Sequence, residues 1–291
     1  MENKQNIDLG ASDVSVILLL VNNPSFKTSE KTYNLKLFGK SMKEWVALAV
    51  KEAEIKEVET KNSQDIISTI TPHLTDKKYT IVLYSDTPLL TAKTFSEIIE
   101  YIKVKKLSAL QLKRGYAFET QHIKNIEKVY SPQTVYFNEE DFIPAYNQKQ
   151  LAMINNVLKN RILNYHFNQG VRIMDVASTY IDAEVEIDED VVIYPNNTIK
   201  GKSMIDKGVT LYENNVIKNS YILKNSQISS SYIFDSIIGK HCGVGPFAYI
   251  QDESVMQKSS QVGAFVELRK GKLSEKARVR RLSFVGKEDL D

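Results

Sequence analysis

At 291 residues the chain has room for one large or two ordinary domains. Its 42% apolar and 25% charged content match a globular protein, and a net charge of +2 gives no general reason to expect nucleic acid or a membrane as partner. The early apolar run Val14 to Val21 is too short to cross a bilayer, and no basic segment precedes it as in a signal peptide. The single cysteine, Cys242, excludes an internal disulfide and a Cys-rich zinc site and fits a reducing cytoplasm.

In chain order, Val14 to Val21 reads as a strand buried on both faces. Ser41 and Glu44 form a capping box ahead of Met42, Trp45, Val46 and Ala49, which predicts a helix start. Tyr79 to Tyr84 is a second buried strand, closed by Ser85-Asp86-Thr87-Pro88. Thr91 caps a helix that presents Phe95, Ile98, Ile99 and Ile102 on one side. Ala109 to Lys113 is a third strand. Asn147 to Asn168 carries Leu151, Ile154, Leu158, Ile162 and Leu163 at helical spacing, and Gly170 supplies the stop. Strands alternating with helices imply a parallel sheet covered on both faces.

From Ile181 the pattern changes. An aliphatic residue returns every six positions through Ile187, Ile193, Ile199, Ile205, Leu211 and Ile217. The register slips around Ile222, Ile228 and Ile233, then resumes at Ile238, Val244, Ile250, Met256, Val262 and Leu268, and again at Leu273, Val279 and Val285. A period of six suits neither an amphipathic helix nor a sandwich strand. It predicts a parallel β-helix in which each hexad is a short strand plus a corner, giving roughly six coils that rise about 4.8 Å each. The expected domains are 1–170 and 171–291.

Several segments resemble the bifunctional N-acetylglucosamine-1-phosphate uridylyltransferase/glucosamine-1-phosphate acetyltransferase family, also called UDP-N-acetylglucosamine pyrophosphorylases. Leu37-Phe38-Gly39-Lys40-Ser41-Met42 is similar to its L-x-G-K-x-M segment, and Ser85-Asp86-Thr87-Pro88-Leu89-Leu90-Thr91 to its G-D-x-P-L-[LI]-[TS] segment. Val244-Gly245-Pro246-Phe247-Ala248 and Val262-Gly263-Ala264-Phe265-Val266-Glu267 resemble its V-G-P-F-A and V-G-N-F-V-E motifs. The resemblance implies a shortened Rossmann-like nucleotidyltransferase domain followed by a left-handed, trimer-forming β-helix of hexapeptide repeats.

The motifs that carry the family's chemistry are degraded. Its glycine-rich phosphate loop falls on Leu18 to Phe26, where both glycines and the arginine are gone and Pro24 lacks an amide donor. Of its two Mg²⁺ ligands the aspartate survives as Asp86, while the asparagine falls on Tyr146. The reading of Asp86 preferred over a metal ligand is an acidic residue in a Pro-containing turn that caps the helix at Thr91. The acetyl-transfer base falls on Arg281, which stays protonated and cannot act as a base. The acceptor-phosphate arginine and lysine fall on Gln251 and Arg269.

Between Arg269 and Arg281 seven of thirteen residues are basic, against one acid, Glu275. Arg269, Lys270 and Arg281 are therefore candidates for an anion site, or alternatively the solvated faces of coils. Two hexads separate Arg269 from Arg281, so their convergence requires a neighbouring subunit. His241 and Cys242 point to opposite faces of a strand and do not share a metal. His73, His122 and His166 stand alone.

The expected function is that of a catalytically impaired, cytoplasmic relative of the uridylyltransferase/acetyltransferase. It binds a nucleotide sugar, sugar phosphate or protein partner as a homotrimer held by outward Ile222, Tyr232 and Phe247. The alternatives are an active nucleotidyltransferase with a rebuilt phosphate loop, for which Mg²⁺ is the cofactor, and a structural partner of a full-length homologue.

Overall fold

The structure, a computed structural model, describes residues 13–124, 135 and 137–286. The chain divides into two compact units, Met1–Val157 and Leu158–Asp291.

The first unit is built on a five-stranded sheet. Its strands are β1 (Val14–Leu20), β4 (Lys56–Lys61), β5 (Tyr79–Tyr84), β6 (Ala109–Leu112) and β7 (Gly115–Glu119), in the order β4-β1-β5-β7-β6. A two-stranded ribbon of β2 (Lys36–Leu37) and β3 (Lys40–Ser41) precedes the first helix. The helices are α1 (Met42–Glu52), α2 (Ile66–Ile70), α3 (Ala92–Lys105) and α4 (Thr120–Lys124). Strand β1 alternates Val16 and Leu18, which pack with Val46, Val50, Phe95 and Ile98 of α1 and α3, with Ile17 and Leu19, which pack with Ile70 and Ile123 of α2 and α4. Burial on both faces is why β1 is apolar at every position but Ser15, whose buried hydroxyl meets that of Thr80. The predicted caps are present: Ser41 and Glu44 exchange both bonds of a capping box, and Thr91 accepts from the Thr94 amide.

The expectation of a wholly parallel sheet is corrected. Strands β4, β1 and β5 are parallel, but β7 runs antiparallel to both β5 and β6. Only Lys113 and Arg114 separate β6 from β7, a connection too short for a parallel crossover.

The second unit begins inside α5 (Gln148–Asn168) and continues as an all-parallel β-solenoid. Face one runs from Arg172–Ile173 to Arg278–Val279, face two from Tyr180–Ile181 to Phe284–Val285, and face three from Glu186–Ile187 to Lys272–Leu273. With seven, seven and six strands, they make six full coils and part of a seventh. The aliphatic residues of the hexads point inward and are buried, with Ile173 and Val279 at the ends of face one only partly covered, and Ile162 and Leu163 of α5 join the same core.

The register slips have a geometric cause. Ile217 to Ile222, Ile228 to Ile233, Ile233 to Ile238 and Leu268 to Leu273 are each five residues apart rather than six. In these corners the left-handed residue (Asn219, Ser230, Asp235 or Lys270) comes second after the inward aliphatic. In six-residue corners such as that of Asp190, Asn196 or Lys276 it comes third. Earlier reversal removes one residue while keeping the next aliphatic inward. Ile222 is accordingly buried at 0% exposure, which corrects its assignment to the outer surface; Tyr221 beside it faces out.

Corner amides need partners inside the core, and stacked polar side chains provide them. Asn215 donates through Nδ2 to Asn197 Oδ1 (3.0 Å) and to the Tyr212 carbonyl (2.6 Å), and its Oδ1 accepts from the Ser231 amide (2.9 Å). Ser231 Oγ in turn accepts from the Ala248 amide one coil further on. Asn215→Ala strips partners from two buried groups, and we expect a loss of roughly 2–4 kcal/mol in urea unfolding of the full chain.

His166 in the last turn of α5 is buried and its Nδ1 lacks a hydrogen-bond partner. Burial pushes its pKa down to about 4 from 6.5. Between those values the unfolded chain binds the proton and the folded chain does not, so stability falls as pH drops through this window. The expected loss by pH 4 is roughly 2–3 kcal/mol. Chemical denaturation from pH 7 to 4 should show this slope, flattened in His166→Gln.

Candidate functional site

In an open α/β sheet the connections leave a crevice outside the carboxyl ends of the strands, where the strand order switches direction. Here that point lies between β1 and β5, because the chain goes from β1 outward to β4 and then returns to β5 on the other side. The loop after β1, the Ser85-Asp86-Thr87 turn after β5, the β6–β7 turn and the stretch around Ala145-Tyr146 meet there.

The amides of the loop after β1 are largely consumed by the loop's own contacts. Val21 donates to Ser85 Oγ (2.9 Å), Asn23 to Thr32 Oγ1 (2.9 Å), and Ser25 to Asn23 Oδ1 (3.0 Å). Phe26 and Lys27 donate to the carbonyls of Asn23 and Pro24, and Thr32 donates to Asn22 Oδ1. Asn23 Nδ2 also bonds the Tyr146 carbonyl. Asn23 caps the one-turn helix Pro24–Phe26, a compact plug in place of an open phosphate cradle.

Asp86 closes β5 and is almost wholly buried; its carbonyl accepts from the Ala145 amide at 2.8 Å. Its carboxylate does not cap α3, since Thr91 does that. Both oxygens instead receive the fork of Arg114, with Nε to Oδ1 at 3.1 Å and Nη2 to Oδ2 at 2.7 Å. The guanidinium lies 4.0 Å from the ring centre of Tyr84 and 5.4 Å from that of Tyr146. Burial works against the Arg114 charge, but the hydrogen bonds and charge of Asp86 outweigh it and hold the group above its usual range. Burial likewise raises the Tyr84 phenol.

Gly115 explains how Arg114 reaches this position. It has φ +135°, and a Cβ there would stand 2.5 Å from the Val82 carbonyl. Its absence lets the hairpin press against β5. Sequence reasoning missed Arg114; the available signal was an arginine and a glycine directly after a strand.

A divalent cation at this point needs free carboxylate or carbonyl oxygens. Asp86 has given both of its own to Arg114, and Tyr146 stands where the resemblance expects the second ligand. Among the described residues no group of three or more His, Cys, Asp or Glu could hold a metal. The residues here do not fit Mg²⁺.

On the solenoid, Arg269 ends a face-two strand and donates through Nε to Asp252 Oδ2 at 2.8 Å, which raises its pKa. Lys270 follows at the corner between faces two and three, with φ 52°. Arg281 occupies the corner between faces one and two, where its amide would lie 3.1 Å from a Cβ on Gly263 of the previous coil. Within one chain Arg269 and Lys270 stand together and Arg281 stands at a different corner. All seven basic residues of this stretch are exposed.

The first coil mirrors the last with opposite sign. From Arg172 to Asp190 there are seven acids (Asp175, Asp182, Glu184, Glu186, Asp188, Glu189 and Asp190) against one base, Arg172. Lys207 of the next coil bridges Glu189 and Asp190. Aromatic residues mark the coils between: Phe247 and Phe265 stack at 5.1 Å on one corner, and Tyr232, Phe234 and Tyr249 cluster on face two. His241 is an exposed corner residue, while Cys242 is buried between Ser226 and Ser260, so they do not form a joint site.

Removing the Arg114 fork leaves Asp86 buried and unpaired. Because Arg114 is partly exposed, we expect Arg114→Ala to cost roughly 2–4 kcal/mol in urea unfolding. Arg114→Lys should recover only part of this, since an ammonium cannot bond both oxygens in the same plane.

Residues 176–286 match the family described as the GMPPB C-terminal domain. The bifunctional protein GlmU of Clostridium novyi (strain NT) is 37% identical over 153 residues, covering 53% of this chain and 34% of that protein. That of Clostridium perfringens (strain SM101 / Type A) is 42% identical over 151 residues, covering 52% and 33%. That of Acetivibrio thermocellus is 28% identical over 284 residues, covering 75% and 62%. The chain thus spans about a third of the length of the Clostridium relatives it matches. Over about half of its own length it is homologous, at moderate identity, to the bifunctional GlmU (UDP-N-acetylglucosamine pyrophosphorylase/acetyltransferase) family.

Proposed function

We propose that this chain is a GlmU-related cytoplasmic protein that has lost nucleotidyl and acetyl transfer and acts by binding a nucleotide sugar or sugar phosphate as a homotrimer. One observation carries this reading: the loop after β1 spends its amides on Ser85, Thr32, Asn23 and Pro24 instead of offering them to phosphates. Arg281 in place of a base supports the loss of acetyl transfer, because a guanidinium does not accept a proton at neutral pH. Among the described residues no helix is long and apolar enough to cross a membrane.

The trimer reading draws on the exposed aromatics of face two and its corner, Tyr232, Tyr249, Phe247 and Phe265. Packing such faces around a three-fold axis closes the assembly and buries them. It also offers a way for Arg281 of one copy to approach Arg269 and Lys270 of another and share an anion between guanidinium forks. A protein partner, such as a full-length GlmU, is the second occupant this face suits.

Incubation with UTP, N-acetylglucosamine 1-phosphate and Mg²⁺ should release no pyrophosphate above a blank; measurable release abolished by Asp86→Asn would restore the active-enzyme alternative. Sedimentation at micromolar concentration should give the mass of three chains. Titration calorimetry at low salt should detect a sugar phosphate or nucleotide sugar. Arg269→Ala and Arg281→Ala should each weaken that binding by roughly 1.5–3 kcal/mol.

A further inference from the structure

We propose that Arg114 is a resident counter-ion at the carboxyl end of β5, occupying the position a divalent cation would take and excluding it from Asp86. The inference deepens the reading of this crevice as unable to transfer nucleotides and rests on it in that respect, but its evidence is separate. A divalent ion gains its hold by exchanging water for carboxylate oxygens. At Asp86 both oxygens are already met, at 3.1 and 2.7 Å, by two N–H groups of one planar cation. The carboxylate side chain is 3% exposed, which leaves little edge for a hydrated ion to approach.

Three features keep the guanidinium in place. Tyr84 lies against one side of it at 4.0 Å and Tyr146 lies further off at 5.4 Å, so lateral movement sacrifices cation–π contact. Gly115 brings the hairpin against the Val82 carbonyl, fixing the backbone from which Arg114 projects. An arginine also cannot be deprotonated near neutrality, so pH does not open the site. An incoming Mg²⁺ must therefore displace a fixed charge of its own sign as well as shed water. The negative charge of Asp86 is answered from within the chain.

The test uses Mn²⁺ alone, titrated into the full chain and followed by the electron paramagnetic resonance signal of the free ion. Wild type and Asp86→Asn should give the same titration up to millimolar Mn²⁺. Arg114→Gln should gain about one Mn²⁺ per chain in that range, and the double variant Arg114→Gln/Asp86→Asn should lose it again. Arg114→Lys, which keeps a positive charge, should resemble wild type. Mn²⁺ binding by wild type that disappears in Asp86→Asn overturns the proposal, as does a folded Arg114→Gln chain with no added site. If Arg114→Gln does not fold, as judged by near-ultraviolet circular dichroism, the comparison of wild type with Asp86→Asn still decides. The assay contains no nucleotide or sugar, so its outcome is distinguishable from failure of the binding function proposed above.

Discussion

Each coil of the solenoid must bring three aliphatic side chains back to the axis with strands only two or three residues long. That demand sets the rest of the second unit. Burying one such side chain is worth about 1.5–3 kcal/mol, whereas a non-glycine residue in the left-handed region costs about 1–2 kcal/mol. Burial wins narrowly at each corner and decisively when the coils stack. The chain reduces the cost by placing asparagine or aspartate, which tolerate this backbone, at Asp190, Asn196, Asn214, Asn219, Asn225 and Asp235. The interior polar ladder follows from the same demand, since a corner this tight turns backbone groups inward: Asn215 Oδ1 and Ser231 Oγ accept from amides, and Asn197 Nδ2 donates to the Tyr194 and Tyr212 carbonyls.

The first unit resolves a different conflict. A sheet of this topology leaves strand ends, a carboxylate and loop amides converging on one crevice, where they would otherwise call for a ligand. Here each is satisfied internally: the amides by Ser85, Thr32 and Asn23, and the carboxylate by Arg114. Internal satisfaction favours a rigid crevice over one waiting for phosphate and metal, because a ligand must now compete with bonds that already exist.

Much of this architecture was legible in the sequence wherever the signal was periodic or local. The hexads announce themselves because one spacing persists over many turns, and the Ser41–Glu44 capping box needs only four consecutive residues. Legibility failed where partners are distant or where phase is lost. Arg114 and Asp86 are separated by a helix and a strand, and nothing in their spacing pairs them. The β6–β7 hairpin hides in a two-residue turn, so the sheet read as parallel. Ile222 was placed outside because a five-residue corner shifts the phase by one, and one step inverts inside and outside. The acidic first coil escaped notice because, apart from Asp188-Glu189-Asp190, its charges alternate with apolar residues, and the whole chain is nearly neutral.

That acidic coil and the basic last coil stand roughly 25–30 Å apart at about 4.8 Å per coil. This is several Debye lengths at physiological ionic strength, so within one chain the two belts do not feel each other and the polarity is electrostatically idle. It acquires meaning only when solenoids lie side by side. Axes pointing the same way bring acid beside acid and base beside base, a repulsion that dissolved ions relieve. Axes pointing opposite ways bring each belt against its complement, an attraction that ions weaken. Ionic strength thus acts with opposite sign on the two arrangements, and the distribution of surface charge records which mutual orientation tolerates salt and which requires it.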